Sequence, residues 1–185
     1  MFRFRRMTKS DLVKVMHWRL NESVSQFMQT EIKNDIGKQK QWFQHISNDP
    51  SFVYWVIEYK QAPVGALNLA DIDLKKNECS WGFYIGEPSC RNLGGLIPPY
   101  LYNHLFRQCR IEMLKADVMD NNHLVKKLHG LHGYRYKGTV GSDIIKGDES
   151  IPLCRFTLAK HDWLAKKRFA KFNAQFENTP QTLLL

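Results

Sequence analysis

The sequence contains no long hydrophobic run, no closely spaced cysteine pair and no internal repeat. None of its apolar stretches approaches the roughly 20 residues that a membrane-spanning helix needs. The basic residues near the N-terminus are not followed by an apolar segment, so we expect no signal peptide. The cysteines stand far apart and form no CxxC motif, which is typical of free, buried thiols in a cytoplasmic protein. These absences argue against a membrane-spanning or exported protein.

The composition is that of one globular domain with an excess of positive charge. Of the 185 residues, 43% are hydrophobic and 24% are charged. The chain carries 27 basic and 18 acidic residues, and its net charge of +9 favours an anionic partner. Its clearest basic run, Lys166-Lys167-Arg168, is interpreted as a solvated face of a helix. Because the remaining charge is scattered, we expect a small anionic molecule as the partner, and neither nucleic acid nor a membrane.

Hydrophobic periodicity predicts an α+β fold around one mixed, mostly antiparallel sheet flanked by helices. Predicted strands cover about 2–6, 52–59, 64–72, 78–85, 115–119, 134–145 and 151–159. Predicted helices begin at Thr8, include Val24, and cover about 37–47, a stretch from Gly94 or Gly95 to Arg110, 122–131 and 161–173. No linker divides the chain, so we expect a single domain over 1–176 and a flexible tail over 177–185.

The turn after the predicted strand 78–85 has the features of a phosphate site. It reads Arg91-Asn92-Leu93-Gly94-Gly95-Leu96 and leads into a helix. Unpaired amides at a helix N-terminus attract anions, and glycine lets a phosphate approach the backbone closely. The turn is neither a Walker loop nor a GxGxxG fingerprint, and an ordinary strand-to-helix turn is the alternative.

Two motifs together resemble the GNAT superfamily of acetyl-CoA-dependent N-acetyltransferases. Asn122, Val125, Leu128, His129, Gly133 and Tyr134 have the spacing of its closing motif. Arg91-x-x-Gly94-x-Leu96 resembles its pyrophosphate loop, although Leu96 stands where Gly or Ala is usual. The resemblance covers about 2–160 and implies a GNAT-like fold that takes acetyl-CoA as co-substrate. The residues that it assigns to acetyl-CoA are Phe83, Ile85, Arg91, Asn92, Leu93, Gly94, Gly95, Leu96, Asn122 and Lys126.

A narrower resemblance concerns the N-acetyltransferases of the pseudaminic acid pathway. The segments that carry it are Trp18-Arg19, Asn21-Glu22-Ser23-Val24, Phe27-Met28, Gln41-Trp42-Phe43, Trp81-Gly82-Phe83-Tyr84-Ile85 and the region from Ile144-Ile145 to Trp163. It implies transfer of acetyl to the 4-amine of a UDP-linked 4-amino-4,6-dideoxy sugar. The N-terminal helices would then cover the acceptor, with Arg19 and His45 as substrate-binding residues.

Direct transfer needs a group that accepts the proton of the attacking amine. The candidates lie where the predicted strands 64–72 and 78–85 end and begin, namely Asp71, Asp73 and Glu78. We assign Asp71 and Glu78 to catalysis and Asp73 to substrate binding, and Tyr84 would orient the amine or a water molecule. Each acid could instead be an ordinary turn or surface residue.

His129 stands where the superfamily often has a tyrosine that protonates the leaving thiolate. An imidazolium with an ordinary pKa of about 6.5 could supply the same proton. The activity would then have a bell-shaped pH profile with His129 on its alkaline limb. The alternative is a histidine packed on a helix face. No zinc signature surrounds His123, His129 and His132, so we expect no metal.

Other functions stay open at this point. A GNAT enzyme could act on a protein N-terminus or on a small amine. A chain without the usual tyrosine could also be a non-catalytic acyl-CoA-binding module or a ribosome-associated basic protein. The chain could form a homodimer.

Overall fold

The computed structural model describes residues 1–185 and confirms the predicted α+β class. The strands are β1 (Phe2–Arg6), β2 (Val53–Tyr59), β3 (Ala62–Asp73), β4 (Glu78–Ile85), β5 (Met113–Met119), β6 (Arg135–Thr139), β7 (Ile144–Lys146), β8 (Glu149–Ile151) and β9 (Leu153–Ala159). The helices are α1 (Leu12–Leu20), α2 (Glu22–Ser25), α3 (Ile36–Asn48), α4 (Ile97–Gln108), α5 (His123–His132) and α6 (Lys160–Leu164). None of these helices has the length and hydrophobicity to cross a bilayer.

Seven strands form one sheet in the order β1-β2-β3-β4-β5-β9-β6, and β7 and β8 form a separate hairpin. All neighbours in the large sheet are antiparallel except β4 and β5. Strands β2 to β4 form the predicted meander, because their β-branched and aromatic residues suit a sheet that is covered on both faces.

The two faces of the sheet are covered by different helices. On one face, α4 contributes fully buried Leu101, Tyr102 and Leu105 to the main core. On the other face, α1 packs Val15 and Trp18 into a smaller cluster. The large sheet therefore lies between an N-terminal helical layer and a C-terminal one, as expected for a layered domain.

The sheet is split between β4 and β5. These parallel strands pair only from Glu78 to Ser80 with Met113 to Lys115. Beyond these positions, β4 continues to Ile85 and β5 to Met119, but the two strands no longer pair with each other. The backbone groups on these two facing edges are left without a strand partner, so a ligand can insert between the strands.

Three predicted elements are wrong in detail. The helix predicted to start at Gly94 or Gly95 begins at Ile97, because Pro88–Leu96 forms a 3-10 helix that leads into it. The strand predicted over 134–145 divides into β6 and β7, and Gly141, which has a positive φ of 66°, lies between them. The helix predicted over 161–173 ends at Leu164 and is followed by a 3-10 turn at Lys167–Phe169.

The C-terminal segment packs against the domain. Phe176 stacks on Phe4 with ring centroids 4.1 Å apart, and Leu183 is buried beside α4. The Trp55 indole donates a hydrogen bond to the Glu177 carbonyl at 3.0 Å. We expected a flexible tail over 177–185. These contacts join the segment to the sheet and to α4.

Candidate active site

A cavity of about 1130 Å³ occupies the split between β4 and β5. Its walls come from both strands, from the N-terminal helices, from the loop between α2 and α3, and from the start of α5. It extends from the 3-10 helix Pro88–Leu96 at one end to α3 at the other. The cavity thus joins the predicted cofactor region to the predicted acceptor region.

The turn Arg91–Leu96, with its two glycines, forms the cofactor end of the cavity. A Cβ atom on Gly94 would lie 3.8 Å from the side chains of Phe83 and Ile85, so the bare backbone forms part of the wall. Arg91 lines the same end and is exposed to solvent. Asn122 caps α5, since its side chain accepts a hydrogen bond from the Val125 amide at 3.3 Å. A diphosphate at this end would meet a guanidinium and an open backbone.

Only some of the residues predicted to bind acetyl-CoA line the cavity. The side chains or backbone of Phe83, Ile85, Arg91, Gly94 and Asn122 line the cavity. The other residues of the turn lie beside it in the same 3-10 helix, namely Asn92, Leu93, Gly95 and Leu96. Lys126 does not line the cavity; its ammonium forms an ion pair with Asp120 at 2.6 Å, which raises its pKa.

Arg19 lines the end of the cavity that the N-terminal helices cover, which we call the acceptor end. Its Nη2 donates to the carbonyl and hydroxyl of Thr30 at 2.8 and 3.1 Å, while its buried Nε has no partner. Trp42 and Tyr54 stand edge to face beside it, with ring centroids 5.2 Å apart. The acceptor end therefore combines a guanidinium that has donors to spare with an aromatic wall.

Asp71 is the predicted carboxylate that reaches the cavity. It is exposed, it forms no ion pair, and it lies at an irregularity in the pairing of β3 with β4. Its backbone has a positive φ of 49°. A non-glycine residue in this region is uncommon, and here the left-handed backbone coincides with the cavity rim.

Three other predicted residues lie outside the cavity. Glu78 stands where β4 and β5 still pair, and its carboxylate binds the Lys115 ammonium at 2.6 Å. Asp73 caps the next turn by accepting from the Lys75 and Lys76 amides, which lowers its pKa. His45 borders a separate shallow depression on the outer face of α3. The split of the sheet favours Asp71 over these residues as the group that meets a substrate.

His129 lines the cavity but is almost completely buried, with 1% of its surface exposed. Its ring stacks on Tyr134 at a centroid distance of 4.2 Å, and neither ring nitrogen has a hydrogen-bond partner. Burial, together with the nearby His132, lowers the pKa of His129 to about 4. The imidazolium that the sequence led us to expect is therefore not the resting form at neutral pH.

Tyr84 lies on β4 facing the N-terminal helices, and it lines the acceptor side of the cavity. Its ring meets Trp18 edge to face at 6.5 Å. Burial raises the pKa of its hydroxyl, while the charge of Arg19 lowers it to a lesser extent. At neutral pH the hydroxyl is protonated, so it can donate or accept one hydrogen bond with a ligand.

A charged pair that the sequence did not reveal lies on β5 and β9, and its Asp117 lines the cavity. Asp117 accepts two hydrogen bonds from Arg155 at 2.8 and 2.7 Å, and its carbonyl accepts from the Gln29 side chain at 3.0 Å. Asp117 and Arg155 lie on paired strands that are far apart in the sequence. The alternation along the predicted strand 115–119 was the one available signal, since it places Asp117 on the face opposite Ala116 and Val118.

Comparison with known proteins agrees with this geometry. A family model described as "Acetyltransferase (GNAT) domain" matches residues 2–135. Proteins called "Acetyltransferase PseH" from two strains of Campylobacter jejuni subsp. jejuni are 22% and 21% identical over 126 residues. Each match covers 68% of this chain and 78% of the relative.

Solved structures share the fold at lower sequence identity. A spermidine N-acetyltransferase from Vibrio cholerae, in complex with CoA and spermine, has a TM-score of 0.80 at 13% identity. That match covers 88% of this chain and 98% of the other. A dodecameric structure of spermidine N-acetyltransferase from the same organism has a TM-score of 0.73 at 12% identity, covering 88% of this chain and 96% of the other.

Proposed function

We infer the function of this chain from the premise that it belongs to the GNAT acetyltransferase family. It is an acetyl-CoA-dependent N-acetyltransferase. We propose that its acceptor is the 4-amino group of a UDP-linked 4-amino-4,6-dideoxy sugar, as in the pseudaminic acid pathway. The likeness to the Campylobacter proteins supports this acceptor.

The observation that carries the proposal is the charge of the acceptor end. Arg19, Lys33 and Lys38 line the cavity there and form no ion pair. Two of the three acids in the lining are already neutralised, because Glu31 pairs with Lys146 at 3.5 Å and Asp117 pairs with Arg155. This excess of free cations suits the diphosphate of a nucleotide sugar.

The aromatic wall supports the same acceptor. Phe27, Trp42 and Tyr54 line the cavity near Arg19. Aromatic faces accept a nucleobase or the apolar face of a deoxy sugar by stacking. A polyamine would instead need several free carboxylates, and Asp71 is the one acid of the lining without an ion pair. The charges of the cavity therefore disfavour a polycation as acceptor.

The proposed reaction is direct attack of the neutral amine on the thioester carbonyl. The amine nitrogen forms the new N–C bond as the C–S bond breaks, and Asp71 accepts the proton that the nitrogen loses. Unpaired backbone N–H groups on the facing edge of β4 stabilise the negative charge on the carbonyl oxygen. Tyr84 orients the amine.

The leaving thiolate needs a hydrogen-bond donor rather than a strong acid. Neutral His129 keeps one N–H, and neither of its ring nitrogens is otherwise engaged. We assign to it a hydrogen bond that stabilises the sulfur as the C–S bond breaks. The thiolate then takes its proton from water as the product leaves.

A thiol-release assay with acetyl-CoA tests the proposed acceptor class. The panel contains UDP-4-amino-4,6-dideoxy sugars, spermidine and peptides with a free N-terminus. We expect the UDP-amino sugars to give the highest kcat/KM. A higher kcat/KM with spermidine would replace the nucleotide sugar with a polyamine, and the same result with a peptide would indicate a protein acceptor.

We propose that the protein is located in the cytoplasm and that it forms a homodimer. All of Cys79, Cys90, Cys109 and Cys154 are free thiols, a state typical of a reducing compartment. Light scattering of the purified chain measures the assembly directly, and a mass of twice 21.8 kDa is expected for the dimer.

A further inference from the structure

A hydrogen bond joins the cofactor turn to the N-terminal helices across the mouth of the cavity. The Arg91 guanidinium donates to the Ser23 hydroxyl of α2, and both residues line the cavity. We call this contact the Arg91–Ser23 clasp. At this contact, helix α2, which helps to cover the acceptor end, meets the Arg91 side chain at the cofactor end.

The Ser23 hydroxyl is oriented to accept rather than donate toward Arg91. Asn21 caps α2, and its side-chain oxygen accepts from both the amide and the hydroxyl of Ser23. Because a hydroxyl has one proton, this bond leaves only its lone pairs for Arg91. The three residues therefore form a directed chain from Arg91 through Ser23 to Asn21.

Helix α1, which directly precedes the short helix α2 that carries Ser23, is fixed against the end of β4. A Cβ atom on Gly86 would lie 2.1 Å from the Trp18 ring, so this glycine lets α1 lie directly on the end of β4. The Trp18 indole donates to Glu87 at 3.1 Å, and Lys14 also pairs with Glu87 at 3.6 Å. Ser23 thus approaches the turn from a rigid support.

Arg91 has donors to spare for a ligand. Its one side-chain hydrogen bond goes to neutral Ser23, and no carboxylate neutralises its charge. The guanidinium has five N–H donors, so an anion can bind without breaking the clasp. A side chain already held in place loses less conformational freedom when the ligand binds.

We propose that Ser23 is a positioning residue, which holds the Arg91 guanidinium ready for the diphosphate of acetyl-CoA. This inference rests on the proposed role of Arg91 in binding the cofactor, and it does not depend on the identity of the acceptor. Asn21 acts in the same chain by fixing the direction of the Ser23 hydroxyl.

A double-mutant cycle on CoA binding tests the clasp. The dissociation constant of CoA is measured by calorimetry for the wild-type protein, Ser23→Ala, Arg91→Met and the double variant. We expect Ser23→Ala to weaken binding about 3- to 10-fold, the scale of freeing one long side chain. Arg91→Met should weaken it about 10- to 100-fold, because a charged hydrogen bond is lost. In the Arg91→Met background, Ser23→Ala should have no further effect.

Two further variants separate positioning from folding. Ser23→Thr keeps the hydroxyl and should restore wild-type CoA binding. Ser25→Ala removes a neighbouring hydroxyl of α2 that makes no side-chain hydrogen bond, and it should leave CoA binding unchanged. The ligand-free melting temperature of each variant is recorded alongside.

The proposal is overturned if Ser23→Ala weakens CoA binding equally in both backgrounds, because Ser23 would then act independently of Arg91. It is also overturned if Ser23→Ala binds CoA as the wild type does, or if a folded Ser23→Thr fails to restore binding. Failure of the wild-type protein to bind CoA would instead contradict the family function, and failure of every tested sugar acceptor would leave this result unaffected.

Discussion

At the scale of single residues, Asp71 carries the proposed proton transfer. Asp71→Asn keeps the side-chain shape and tolerates the left-handed backbone, since asparagine adopts positive φ more readily than most residues. We expect kcat to fall about 100-fold, the lower end of the range for a general base. The remaining rate should increase with pH as more of the acceptor amine loses its proton.

Asp73→Asn is the matched control, because Asp73 lies two residues away and faces the turn rather than the cavity. We expect its rate to stay within about twofold of the wild type, as for most surface substitutions. If Asp71→Asn and Asp73→Asn have the same rate, Asp71 is not the base.

A second prediction concerns His129 and the pH dependence of activity. It replaces the bell-shaped pH profile that the sequence led us to expect. Since burial lowers the pKa of His129 to about 4, this residue supplies no alkaline limb between pH 6 and 8. His129→Phe should lower turnover by about 100-fold or less and leave the shape of the profile in this range unchanged. The variant should melt no lower than the wild type, because it removes buried polar atoms that have no partner.

Steady-state rates and melting temperatures of His129→Phe check both points. An alkaline limb with an apparent pKa between 6 and 8 that is present in the wild type and absent from the variant would restore the imidazolium acid. Wild-type turnover in the variant would make His129 a packing residue.

At the scale of elements, the 3-10 helix Pro88–Leu96 is expected to hold the CoA phosphates. CoA should raise the melting temperature much more than its pantetheine part alone does, since only CoA carries the diphosphate and a ligand that binds the native state stabilises it. Gly94→Asp should abolish this shift, because the new carboxylate would project toward Phe83 and Ile85 at the cavity wall. Gly95→Ala should keep it, because a Cβ atom there meets nothing within 4 Å.

Thermal melts with CoA and with pantetheine measure these shifts. Equal shifts for the two compounds would show that the phosphates contribute nothing to binding. A shift that survives in Gly94→Asp would place the phosphates elsewhere.

The helices and strands with clear local sequence signals could be predicted from the sequence. Strands β2 to β4 follow from β-branched and aromatic runs separated by turns, and α5 follows from its Asn122 cap and Gly133 at its end. The 161–173 segment has helical periodicity, but the helix ends at Leu164, and Phe169 beyond it stacks on buried Trp163 at 4.8 Å. Tertiary packing of this kind overrides local propensity, so no sequence pattern could show it.

The candidate site was predictable to the same degree. Gly94, Arg91 and Asn122 belong to short motifs, and the structure places them at one end of the cavity. Whether Asp71, Asp73 or Glu78 faces the cavity depends on the irregularity in β3 and on the point where the sheet splits. His45 was assigned to substrate binding only because it lies in an N-terminal helix, and its side chain borders a separate depression on the outer face of that helix.

At the scale of the whole molecule, three buried histidines make stability depend on pH. Burial lowers the pKa of His104, His129 and His132 to about 4 each. Between about pH 6.5 and 4 the unfolded chain therefore binds more protons than the folded chain does. The free energy of unfolding should fall as pH decreases through this window, and it should be independent of these residues above it.

Urea unfolding at pH 7, 6 and 5 measures this dependence. Each of the three histidines contributes at most about 1.4 kcal/mol per pH unit within the window. His129→Phe and His132→Phe should each reduce the slope by about one proton. A slope that neither variant reduces would show that the two histidines titrate normally in the folded chain.

The central claim of this account is that the cavity recognises the nucleotide part of the acceptor. The most direct test measures kcat/KM with acetyl-CoA for one 4-amino-4,6-dideoxy sugar, presented with and without its UDP group. We predict that removing UDP lowers kcat/KM by at least about 100-fold, because the sugar then lacks the diphosphate that would accept charge-assisted hydrogen bonds from Arg19 and the neighbouring lysines. Equal kcat/KM for the two forms would contradict it.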